Sequence, residues 1–327
     1  LKIPIQLATV NRGLGNEEEA SAWLGRAEEI YRILIENDES EAVRKEVGYN
    51  LLSVYLQGNQ WNRAIEQIEN LEQTYGEDRN RPSLLFIRAM IEKEGFDNPE
   101  GAYDIYLSVR DKYPASVEAP RALLAAADIR YGEKRYEEAR KIYAMVIEEY
   151  AGSTAEVVQA EWQTARLLEE SGDWNAASLK YKAIYQNYPN TEQGLLAPMR
   201  IIKKYLDEDE MDAGRAAYDQ AVEHYEQLIA GQAPIGVKIL AESHIVTAHA
   251  EMAEWEKAAD RLLQQTEKYP YYPGFRKNYL TAASIYEKEL NDAKRASQAL
   301  QICMERHPGS PLAEEAERHY RRLEEQR

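Results

Sequence analysis

GDWNAASLKYKAIYQNYP, residues 172–189, is the stretch from which the architecture is read. Ala177 and Tyr181 stand four apart, the step that stacks a large side chain on a small one along one helical face. Pro189 cannot continue a helix interior, so the helix that opens near Trp174 ends by Tyr188. Gly172 falls where a preceding helix has to reverse. The stretch therefore reads as the turn, second helix and exit of a helical hairpin.

Working outward, the same frame recurs. The residues that end each second helix are Tyr75, Tyr113, Tyr150, Tyr188, Tyr225, Tyr269 and His307, spaced by 38, 37, 38, 37, 44 and 38. Eleven positions earlier lie the small residues Ala64, Ala102, Ala139, Ala177, Gly214, Ala258 and Ala296. Four beyond each comes a larger one: Ile68, Tyr106, Tyr143, Tyr181, Tyr218, Leu262 and Leu300. Trp61, Trp174 and Trp255 open three of the second helices, three positions before the small residue. Gly58, Gly95, Gly132 and Gly172 mark the turns and are expected to supply a left-handed cap. At the joints, Pro114, Pro189, Pro270 and Pro308 end the helix, and Ser116, Thr191 and Ser310 are placed to cap the next one.

These residues resemble the tetratricopeptide repeat, a helix pair of about 34 residues. Gly172, Trp174, Ala177, Tyr181 and Pro189 each occupy a slot of its motif, although the present units are longer by three or four residues. The resemblance implies an all-α fold, a right-handed α–α superhelix of about seven helix pairs with a C-terminal capping helix. One solenoid is expected over 1–327: an incomplete first repeat at 1–40, repeats of 37–44 residues over 41–308, and the cap at 309–327. In the first repeat Arg26 takes the small slot, so it reads either as an atypical cap or as the remnant of repeats continuing upstream; the apolar LKIPIQLATV favours the second.

A formal charge of −17 repels phosphate backbones and anionic headgroups, which argues against nucleic acid and membrane surfaces as partners. No apolar run reaches the roughly 18 residues of a membrane span, so this segment is not expected to insert directly. The one cysteine, Cys303, leaves no internal disulfide and reads as a small buried side chain. Three stretches depart from the repeat. IAGQAPIGV at 230–238 accounts for the spacing of 44 and reads as a longer inter-repeat loop or a docking loop. DEDEMD at 207–212 is a solvated acidic turn. YPYYPGF at 269–275 reads as packing between repeats or as an exposed partner contact.

Chemistry finds no foothold. His244 and His249 are five apart, a rotation of about 140° that parts the imidazoles, so no metal site is expected. No phosphate loop, nucleophile elbow or Cys/His pair occurs, and neither catalytic residue nor cofactor is assigned. What a helical solenoid offers instead is a surface lined by first helices. Counted from the alanine anchors, that surface takes Tyr49, Arg121, Asp128, Tyr131, Gln159, Trp162, Arg166, Met199 and Lys203. Trp162 reads as core or as a groove anchor. Arg121, Arg166 and Lys203 read as anion contacts or as ordinary pairing with Asp128 or Glu169. The basic-then-Asn clamp by which chaperone adaptors of the family hold a carboxylate is absent, since Tyr49/Ser53, Leu124/Asp128, Trp162/Arg166 and Met199/Lys203 stand there.

The expectation is a non-enzymatic scaffold or adaptor for a protein or peptide, itself a possible subunit of a larger assembly. The Tyr-Pro-x-Ser/Thr joint resembles bacterial envelope repeat proteins, the outer-membrane assembly lipoproteins and Tol–Pal coordinators, which implies a periplasmic organising role. A cytoplasmic regulatory adaptor is the alternative reading. An α/α-toroid carbohydrate enzyme is a third, distinguished by a closed ring around clustered carboxylates.

Overall fold

The computed structural model describes residues 2–37, 40–76 and 80–325. Among them lie seventeen α-helices, one 3-10 turn and no strand. Two compact units, Leu1–Ala160 and Glu161–Arg327, divide the chain. The first contains α1 (Ile3–Gly13), α2 (Glu17–Asn37), α3 (Glu41–Gln57), α4 (Trp61–Tyr75), α5 (Arg81–Gly95), α6 (Pro99–Lys112), α7 (Glu118–Gly132) and α8 (Tyr136–Glu149). The division falls inside α9 (Thr154–Glu170). The second holds α10 (Trp174–Asn187), α11 (Glu192–Asp207), α12 (Met211–Ala230), α13 (Ile235–Glu251), α14 (Trp255–Lys268), α15 (Asn278–Lys288), α16 (Ala293–Arg306) and α17 (Pro311–Glu325). Within each unit, sequential helices pack on one another. First helices also touch directly, α5 on α7 and α11 on α13, which builds the two-layer arrangement of a helical repeat.

The repeat slots form the core. Ala64, Ala102, Ala139, Ala177, Ala258 and Ala296 are wholly buried, and Gly214 is buried with them. All seven large residues four positions on are buried too. A small side chain lets the helices approach, and the large one fills the layer beside it. At three of the four tyrosines among them the hydroxyl is met at the rim of the core: Tyr143 donates to Asp128 at 2.5 Å, Tyr181 to Glu169 at 3.1 Å, and Tyr218 lies 2.9 Å from His249 Nδ1. A buried phenol without a partner would lose its hydration uncompensated.

The turns use one geometry, and glycine is not its usual carrier. Positive φ falls two residues before each second helix, at Asn59, Asp97, Lys134, Gly172, Asp209, Ala253 and Asn291. The next backbone N–H then reaches back to the first helix, as Gln60 to Tyr55 at 2.8 Å and Glu254 to His249 at 2.8 Å, the six-to-one bond of a Schellman cap. Of the four glycines expected to adopt the left-handed cap, only Gly172 does so. Gly58 ends α3 at φ −84°, and the left-handed residue there is Asn59. Gly95 serves another purpose: a Cβ there would meet the Trp61 ring at 2.7 Å.

The joints follow the sequence closely. Helices α6, α10, α14 and α16 stop two residues before Pro114, Pro189, Pro270 and Pro308. Ser116 accepts from the Ala119 N–H at 3.2 Å, Thr191 from Gly194 at 3.1 Å and Ser310 from Ala313 at 3.2 Å, so each caps the following helix. Around 230–238 the expectation of a long loop is overturned. Helix α12 runs 20 residues where α6, α8, α10, α14 and α16 each run 14, and only Gly231–Pro234 connects it to α13. The helix runs on through Tyr225, which no proline follows, and the Tyr225 hydroxyl donates to the Leu195 carbonyl at 2.6 Å.

Charge pairing repeats with the architecture. Arg63–Glu28, Arg121–Glu156, Arg135–Glu100, Arg261–Glu226 and Arg322–Glu287 pair across 35 residues, about one repeat. Arg110–Glu149, Arg215–Glu254 and Arg295–Glu256 pair across 39. Isolated exposed pairs contribute about 0–1 kcal/mol each, but pairs recurring at several interfaces favour one stacking register. At the ends, Ile5 and Ala8 of α1 pack inward, while Ala313, Ala316 and Leu323 seat α17.

Candidate functional site

The nine surface positions expected from the sequence all lie on first helices. In the first unit Tyr49 is on α3, Arg121, Asp128 and Tyr131 are on α7, and Gln159 is on α9. Arg121 is exposed and bonds Glu156 at 2.9 Å. Asp128 is exposed at one edge yet accepts the Tyr143 hydroxyl, so it holds the repeat together as well as facing solvent. Tyr131 is half-buried with its ring 5.8 Å from that of Tyr136.

In the second unit Trp162 and Arg166 are on α9, and Met199 and Lys203 on α11. These helices adjoin, since Glu169 of α9 accepts from Arg200 of α11 at 2.5 Å. Trp162 is half-buried and stands edge-on to Tyr181, centroids 5.1 Å apart at 67°, so one side of the ring packs and the rest is open. Arg166 lies 3.7 Å from Glu170 and 3.3 Å from Gln163. Lys203 is exposed, with no ion pair among the described residues. The Arg166, Trp162 and Lys203 side chains therefore sit on neighbouring helices, with Lys203 the cation held least from within.

Titratable groups elsewhere serve the fold. His249 is buried on Tyr218, and burial pushes it down to about 4, helped by Lys257 and Arg261. His244 stacks on Tyr225 at 5.4 Å and 18°, so the two imidazoles face different tyrosines. Glu242 is buried but holds Arg261 at 2.6 Å and Lys268 at 2.9 Å. Cys303 is buried, and burial pushes its thiol up to about 11. Among the described residues no cluster of three or more His, Cys, Asp or Glu could hold a metal ion. None of their helices is long and apolar enough to cross a membrane.

Sequence reasoning passed over one further cluster. Arg276, Arg306 and His307 line a cleft with Tyr269 and Tyr272, at the 269–275 departure and the joint after α16. The double-proline stretch was its only signal, because Arg306 and His307 occupy ordinary repeat positions.

Residues 121–153, helices α7 and α8 with their joint, match the tetratricopeptide repeat family, so this helix pair is a repeat of that kind. No curated protein matches the chain. Among solved structures, yeast Tom70 is 13% identical with a TM-score of 0.47, over 95% of this chain and 61% of its own. The chain thus spans about three fifths of that protein. A tetratricopeptide repeat protein from Parabacteroides merdae is 12% identical with a TM-score of 0.41, over 83% of this chain and 96% of its own. The apo quorum sensor NprR from B. thuringiensis is 13% identical with a TM-score of 0.47, over 93% and 87% respectively.

Proposed function

We propose that the chain is a non-enzymatic protein-binding scaffold that helps assemble or organise a bacterial envelope complex. The observation that carries the binding role is the first-helix face of α9 and α11, where half-open Trp162 and exposed Lys203 lie beside Arg166 and Met199. Aromatic and arginine side chains are what partner surfaces use as anchors. Helical repeats present such faces to extended or helical segments of other proteins. The envelope setting rests on the Tyr-Pro-x-Ser/Thr joint and on nothing in the site itself.

The test is retention of the natural partner by an Arg166→Glu/Lys203→Glu variant. Both side chains are substantially exposed, so the helical signal should persist while retention falls at least tenfold, equivalent to about 1.4 kcal/mol. Lys141→Glu/Lys294→Glu, on exposed second-helix positions, serves as the matched control. Equal retention by both variants would remove this face from the proposal.

A further inference from the structure

We propose that the cleft between the 269–276 segment and the joint at 306–312 binds an acidic, proline-containing extended segment of a partner protein. It shares no residue with the first-helix positions, so its test is independent of theirs.

The observations begin with charge. The chain carries 57 acidic residues against 40 basic ones, so an arginine usually finds a carboxylate. Arg276, Lys277 and Arg306 are exposed and make no ion pair among the described residues. Arg276 and Arg306 line a hollow of about 150 Å³ that no carboxylate enters among its described lining residues. An adjoining hollow of about 430 Å³ shares the Arg276 and His307 walls, adds Lys277, and contains a single carboxylate, Glu315. Arg306 sits in the last turn of α16, where a cation complements the helix end, but that does not account for the concentration of unpaired cations beside it. That concentration creates a local positive potential for a carboxylate, which arginine binds with two parallel N–H donors.

The aromatic floor gives the second half. Phe275, in the 3-10 turn Pro273–Phe275, is buried and anchors the segment, with the Tyr269 and Tyr272 rings 5.8 and 4.8 Å from its own. Tyr272 remains 40% exposed and Tyr271 92% exposed. A ledge of Tyr269 and Tyr272, both packed on Phe275, suits proline rings presented by a polyproline-type segment, which loses little entropy on binding because it is already extended. Carboxylates between those prolines would then reach Arg276 and Arg306.

The probe is a fluorescein-labelled decapeptide of alternating Glu and Pro, titrated by anisotropy at low ionic strength, where charge attraction is least screened. Saturable binding is expected, weakened at least tenfold by Arg276→Glu/Arg306→Glu and at least threefold by Tyr272→Ala. The Lys141→Glu/Lys294→Glu control should leave it unchanged. In the unmodified protein, hydrogen exchange should slow at 269–279 and 304–312 when the peptide is added. Absence of saturable binding, or equal binding of the Gln–Pro analogue, overturns the proposal. So does full displacement by inorganic phosphate, which would mark a small-anion site, or arginine-dependent binding to vesicles of anionic phospholipid without peptide binding.

Discussion

Trp174 stands edge-on to Tyr205, with ring centroids 5.5 Å apart and planes at 86°. The first residue of α10 thereby packs on the first helix of the next repeat, as well as on Tyr181 of its own helix at 6.3 Å. Trp61 does the same job against Gly95 at the end of α5. At Trp61 and Trp174 the residue opening the second helix is thus an inter-repeat contact, and its removal should loosen two repeats at once. Trp174→Ala is expected to lower stability by about 2–4 kcal/mol, less than a fully buried tryptophan because the ring is half-buried. Urea denaturation measures it, and a loss under about 1 kcal/mol would contradict the packing. Hydrogen exchange in that variant should rise around 174–206 before it rises over 20–60, as expected where repeats contact only neighbours.

Ala253 holds φ at +53°, where a Cβ is unfavourable and glycine is free. Ala253→Gly is predicted to raise stability by about 0.5 kcal/mol, the relieved strain exceeding the extra unfolded-state entropy of glycine. At Gly194 the reverse holds. A Cβ would lie 2.0 Å from the Tyr188 carbonyl oxygen, so Gly194→Ala should destabilise. Chemical denaturation midpoints check both, and a pair of shifts with the opposite signs would refute the turn and joint geometry.

The pH dependence has a definite sign. The folded protein keeps His249 neutral down to about 4, whereas the unfolded chain protonates it near its ordinary 6.5. Between those values the unfolded state binds more protons, so stability is complete above about 6.5 and falls as the solution is acidified through that window. The most this site can contribute is about 3 kcal/mol. Burial lowers His224 and His244 in the same direction. His249→Gln should flatten the fall in denaturation midpoint between about pH 6.5 and 5. An unchanged slope in the variant would show that His249 is already protonated in the fold.

Glu242 is 2% exposed and is shared by Arg261 and Lys268. Its removal leaves the half-buried Arg261, among the described residues, with the exposed Glu226 alone as an ion-pair partner. Glu242→Ala is therefore predicted to cost about 2–3 kcal/mol, well above a surface pair. Exposed Arg321→Ala, whose partner Glu317 is also exposed, should change stability by under about 0.5 kcal/mol. Similar losses from the two variants would contradict this assignment of buried and exposed charge.

The helical frame was legible because it was copied. Ala177 four before Tyr181, and Tyr188-Pro189 before the Thr191 cap, recur at fixed offsets, and each copy constrains the others. Turn dihedrals were not legible in this way. The sequence drew attention to Gly58 and Gly132, but a Schellman cap needs only one left-handed residue, and Asn59 and Lys134 supply it. The six residues absorbed by α12 were misread for a related reason: two glycines and Pro234 signal a break without saying where the preceding helix stops. Candidate surface positions could be counted along first helices, but their pairing could not, because Arg121 finds Glu156 a full repeat away. The Arg276–Arg306 cluster joins residues 30 positions apart whose meeting depends on how α15 and α16 stack.

The central claim, that first-helix faces engage a partner protein, is tested most directly by placing a photocrosslinking amino acid at single positions in cells of the natural source. Arg121 and Lys203 are exposed on first helices, and Lys141 and Lys294 are exposed on second helices. Mass spectrometry of the irradiated complexes should find defined partner peptides joined to positions 121 and 203, and none at 141 and 294. Partner peptides joined only to the second-helix positions would contradict the claim.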